Sequence, residues 1–149
     1  MSFDLDYDLL IPLDAENLAE TGIAEAYVSL IPELRKYLQQ PAQIEEEIDN
    51  DAPRYSVKCG EREFNIFGPE LGEDSGNNSW GRATFAFFTI INHQLASSPY
   101  RFYAINGGND LGGMFLTPEQ AASAQKGLTR RSDWPYLPMV EAPWYGQYH

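Results

Sequence analysis

The stretch Tyr100–Gln120, YRFYAINGGNDLGGMFLTPEQ, restricts the fold of this chain more than any other. Arg101 to Ile105 has the aromatic and β-branched bias of a strand with one face buried. Asn106 to Asp110 are residue types that tolerate positive φ and bond their own backbone in turns. Leu111 to Leu116 runs back as a partner strand. Thr117 can cap a helix, Pro118 suits its first position, and Glu119 and Gln120 place acceptors at its positive end. The segment therefore reads as strand, tight turn, strand, helix, with a bulge expected near Gly112 and Gly113.

The rest of the chain is read around that hairpin. Residues 1–13 alternate acidic and apolar side chains, as a short edge strand or a terminal arm would. From Asp14, a plausible N-cap, the period becomes helical: Ile23, Tyr27, Leu30, Ile31, Leu34 and Leu38 fall on one face. Gly22 weakens this run, and Pro32 should kink or restart it. Residues 43–53 read as a loop or one loose helical turn. Arg54–Cys59 and Glu63–Phe67 read as two strands joined at Gly60–Arg62. Trp80–Ala96 looks β-rich in composition but is too long for a strand, so it is expected to be a buried central helix. The last 22 residues hold three prolines and five aromatics. They should run extended, with Trp134, Tyr136, Trp144 and Tyr145 laid over the body or offered as interface anchors. The expected fold is α+β: one domain over residues 1–149 with an extended tail at 128–149. Its sheet is expected to be four-stranded and mainly antiparallel, built from two hairpins and packed against helices on one face.

Several chemistries fit poorly. A phosphate loop needs a helix directly behind its glycines, but a strand follows Gly108, and neither GxGxxG nor GxxxxGK[ST] occurs. The oxygen-rich DSGNNSWG at Asp74 lacks the ligand spacing of a calcium loop. His93 and His149 are the only histidines and Cys59 the only cysteine, so no metal site and no cofactor are expected. Cys59 lacks a local nucleophile signature and reads as core. No enzymatic activity is expected.

Charge is the functional signal. The net charge is −12, with residues 1–75 at −13 and residues 76–149 at +1. Such a field repels nucleic acid and anionic lipid, steers a basic protein partner, and also serves solubility. The unpaired cysteine argues for a reducing, cytoplasmic compartment. The acidic N-terminus is unlike a signal peptide, and no apolar run reaches the length of a membrane span. The densest acidic patch is Glu45, Glu46, Glu47, Asp49 and Asp51, five carboxylates in seven residues. Asn109 and Asp110 at the hairpin tip form a second polar surface.

The block WGRATFAFFTIINHQL, followed by YRFYAINGGNDLGGMFLTPEQA, resembles small α+β immunity proteins of bacterial polymorphic-toxin systems. The resemblance covers residues 79–127. It implies a protein that binds and blocks a toxin, with no catalytic motif of its own. Taken with the charge, it leads to an acidic inhibitor of a toxin, a basic nuclease for example, with the two surfaces above as contacts. Two alternatives remain open at this level. One is a small ligand-binding domain or enzyme using a cleft near His93 or Cys59, and the other is a structural subunit of a larger assembly. The oligomeric state is left open.

Overall fold

The computed structural model describes residues 7–49, 51, 54–67, 79–106, 108–128 and 134–138. The architecture is α+β, with two antiparallel sheets of three strands each in place of the expected four-stranded sheet. The first sheet has the order β1–β6–β5, from β1 (Ile11–Pro12), β5 (Arg101–Ile105) and β6 (Gly112–Leu116). The second has the order β2–β3–β4, from β2 (Glu45–Asp49), β3 (Arg54–Cys59) and β4 (Arg62–Phe67). The helices are α1 (Ile23–Leu34), α2 (Ser79–Gln94) and α3 (Pro118–Gly127).

Helix α2 is the reason the two hairpins do not merge. Phe87, Phe88, Ile90 and Ile91 are buried almost completely, so this helix is apolar nearly all round and sits at the centre. Its polar side chains then engage both sheets. Arg82 Nε donates to the Ile66 carbonyl of β4 at 2.6 Å. Ten residues on, Asn92 exchanges two hydrogen bonds with the backbone of Phe102 in β5.

The β5–β6 hairpin pairs in unbroken register from Arg101↔Leu116 to Ile105↔Gly112. The bulge expected near Gly112 and Gly113 is absent from that pairing. Close packing explains the glycines instead. A Cβ on Gly113 would stand 2.7 Å from two carbons of the Phe102 ring, and one on Gly112 would stand 2.8 Å from Leu10 Cδ1. Both faces of the hairpin are covered, not one. Phe102, Ala104 and Phe115 join the main core with α2, whereas Tyr103, Ile105, Met114 and Leu116 pack on the other side with Ala121 of α3. The rings of Phe88 and Phe102 stack at 4.8 Å, and Phe115 lies 4.6 Å from Phe102. Such pairs add to area burial by about 1 kcal/mol each.

Helix α3 begins as the local sequence dictates. Thr117 Oγ1 accepts from Gln120 N, and Gln120 Oε1 accepts from Thr117 N, which completes a capping box with Pro118 in the first turn. Before α1, Asp14 Oδ1 accepts from Glu16 N, and a π-helical turn, Asn17–Thr21, follows. Gly22, at φ 128°, ψ 141°, separates that turn from α1. Only glycine adopts this backbone without strain. The helix does not restart at Pro32, because α1 runs unbroken through it. The proline lies in the last turn, where α1 ends two residues later.

Of the tail, Trp134–Pro138 is described, and here the chain does lie against the body. Tyr136 pairs with Ala104 in an isolated antiparallel bridge, and its hydroxyl donates to the Asn106 carbonyl at 2.6 Å. Trp134 Nε1 donates to the Leu128 carbonyl at 3.0 Å. Trp144, Tyr145 and the Asp74 loop lie outside the described residues.

Candidate recognition surface

The acidic stretch is a strand, which corrects the expectation of a loop. Glutamate has low β-propensity, so nothing local announces it. Pairing decides the outcome: Glu45 to Asp49 lie opposite Lys58 to Arg54 in continuous antiparallel register. Residues directly opposite share a face. Glu46 and Ile48 therefore lie on the side of Val57 and Tyr55, which belong to the core. Glu45, Glu47 and Asp49 lie on the other side, about 6.8 Å apart along the strand. All five residues of β2 are exposed, including Ile48 at 64%. Strand β2 is an edge of its sheet. Among the described residues, no backbone–backbone bond outside the sheet reaches Glu45–Asp49.

Glu46 is set apart from its neighbours. Its carboxylate accepts the Tyr55 hydroxyl proton. The Tyr55 oxygen in turn accepts from the backbone N–H of Ile23 at 2.7 Å, the first residue of α1. The Glu46 carboxylate also stands 3.5 Å from Ala24 N. A negative group at a helix N-terminus is favoured by the free N–H groups and the helix dipole. Glu46 thus docks α1 on β3. Burial, and next the bond to Glu46, push the Tyr55 hydroxyl above its ordinary pKa.

On the outer face, Lys58 Nζ lies 3.8 Å from Glu47 and 3.9 Å from Glu63. These groups are substantially solvent-exposed, so the contacts are weak and exchangeable. Asp51, just beyond the strand, donates its N–H to Asp49 Oδ1 at 3.0 Å.

At the hairpin tip, Asn109 and Asp110 lie in one turn of 3-10 helix, Gly108–Asp110, and are exposed. Asn109 Nδ2 donates to Asp14 Oδ1 at 3.0 Å, which ties the tip to the start of the π-helical turn.

A feature the sequence reading missed lies beside α1. A half-open cavity of about 360 Å³ separates the β1 segment from α1 and the π-helical turn. Asp14, which holds Asn109, lines one part of it, and Gly22, where an added Cβ would stand 3.0 Å from Glu46 Oε2, lines another. The available signal was the run of small residues at Gly22, Ala26 and Ser29, which follows one face of α1 at helical spacing.

His93 is exposed on α2, and Cys59 is half-buried on β3, where desolvation pushes its thiol up. Neither lines the cavity. Among the described residues, no three His, Cys, Asp or Glu side chains are grouped to hold a metal, and no helix is long and apolar enough to cross a membrane. Comparison of the chain with family models, with curated proteins and with solved structures finds no match.

Proposed function

We propose that this chain is an acidic protein-binding inhibitor of the immunity type, which occludes a basic toxin such as a nuclease. The observation that carries this reading is the outer row of Glu45, Glu47 and Asp49 on an exposed edge strand. A straight row of carboxylates on a rigid strand presents charge in the manner of a polyanion. It attracts a cationic surface that evolved to hold nucleic acid, and it raises the association rate. The open backbone edge of β2 supplies a second mode of contact, since an extended segment of the partner can add to it as a further strand. Glu46 is withdrawn from the contact set because it holds α1. Asp51, Asn109 and Asp110 stay in it as flanking groups.

The test is co-expression with the toxin domain encoded beside its gene. The triple variant Glu45→Lys, Glu47→Lys, Asp49→Lys is expected to slow association by about ten-fold or more and to abolish protection. Protection equal to that of the parent protein would sink the assignment of β2 as the contact strand.

A further inference from the structure

We infer that the cavity beside α1 is a socket for one arginine or lysine side chain of the partner protein. The inference rests on the proposed function for the partner's basic character and extends it to a specific anchor.

The floor of the cavity is apolar: Leu18 and Leu30 are buried, and Ala26 lies beside them. Its wall carries three carboxylates, Asp14, Glu25 and Glu33, and among the described residues no lysine, arginine or histidine lines it. Glu25 and Glu33 are eight residues apart on α1, about 12 Å along its axis. Asp14 faces that helix from the segment after β1. Long cationic side chains combine the same two chemistries, with a methylene stem that prefers an apolar surface and a head that prefers carboxylates. A neutral apolar guest would use only the floor and leave the carboxylates unengaged. An acidic guest would be repelled.

One further fact points the same way. The Lys36 ammonium pairs with Glu33 at 2.9 Å, but both side chains are about half exposed or more. That pair is cheap to exchange for a better-placed cation.

The probe is a blocked peptide, acetyl-Gly-Arg-Gly-amide, titrated into isotope-labelled protein and followed by amide shifts. Its control carries citrulline, which keeps the shape and removes the charge. Saturable shifts centred on Leu13, Asn17 and Ala26 are expected, with the citrulline peptide binding about ten-fold weaker or worse, equivalent to 1.4 kcal/mol. Ser29→Phe, at an exposed position, should fill the cavity and abolish the shifts. Glu25→Gln with Glu33→Gln should weaken the arginine peptide alone and leave the fold intact. Equal affinity for both peptides, or shifts confined to Glu45–Asp49, overturns the socket. The β2 triple reversal separates the two ideas. Lost protection with no peptide in the cavity defeats the socket alone. A peptide in the cavity with protection intact defeats the β2 reading alone.

Discussion

Asn92 stands in for a missing strand beside Phe102: its Nδ2 donates to the Phe102 carbonyl at 3.0 Å, and its Oδ1 accepts from the Phe102 N–H at 2.6 Å. Two residues along, Ala104 exchanges the same pair of bonds with Tyr136, at 2.8 and 2.9 Å. One helix side chain and one tail residue thus close the outer edge of β5. Replacing Asn92 by Leu leaves both backbone groups of a buried residue without partners. The expected loss is about 2–4 kcal/mol, because each unmet buried group costs about 1–3 kcal/mol. Urea midpoints measure it, and hydrogen exchange at the Phe102 amide should accelerate. Asn92→Asp keeps the acceptor and should lose less.

Gly113 has no room for a side chain beneath the Phe102 ring. Gly113→Ala should destabilise by about 1–3 kcal/mol, the usual penalty of overpacking. Combining it with Phe102→Leu should cost less than the sum of the single changes, since the second removes what the first collides with. Strict additivity in thermal unfolding would argue against the collision.

High pH should weaken the fold through its tyrosines. Burial raises the hydroxyls of Tyr55 and Tyr136 above the ordinary value of 10.0. The native state then keeps protons that the unfolded chain releases, so the stabilisation is complete below pH 10 and is lost as pH rises through the folded values. The urea midpoint should decline above about pH 10, and Tyr136→Phe should flatten that decline. A midpoint unchanged up to pH 11 would contradict the burial of these hydroxyls.

The carboxylates of β2 also guard its open edge, because charge on an edge strand discourages pairing with other copies. Changing Glu45, Glu47 and Asp49 together to threonine raises β-propensity and removes the repulsion. The variant should show an average mass that climbs with concentration in sedimentation equilibrium, and the lysine triple should not.

Some of this was legible in the sequence and some was not, for physical reasons. The α3 start is written within four residues, Thr117 to Gln120, and needs no distant partner. The β3–β4 hairpin and the β5–β6 hairpin show themselves by alternation and turn residues, and α2 by length. Strand β2 was missed because its glutamates favour loop or helix locally and are held as a strand by pairing with β3. The sheet was misjudged because α2 packs against both hairpins, through contacts such as those of Arg82 and Asn92, whose targets lie 16 and 10 residues away. The acidic site residues were visible as a composition, but the turning of Glu46 toward α1 depends on Tyr55. The cavity needed β1 and α1 to meet across Asp14, which no local pattern encodes.

Glu45, Glu46 and Glu47 are the same residue three times over, yet the pleat of β2 gives them two occupations. The outer pair is exposed on the face away from α1. The middle one is a rivet through which the strand grips the first turn of α1. One carboxylate therefore fastens an edge strand to the helix that walls the cavity, so the rim of the molecule and its hollow share a single side-chain fastening.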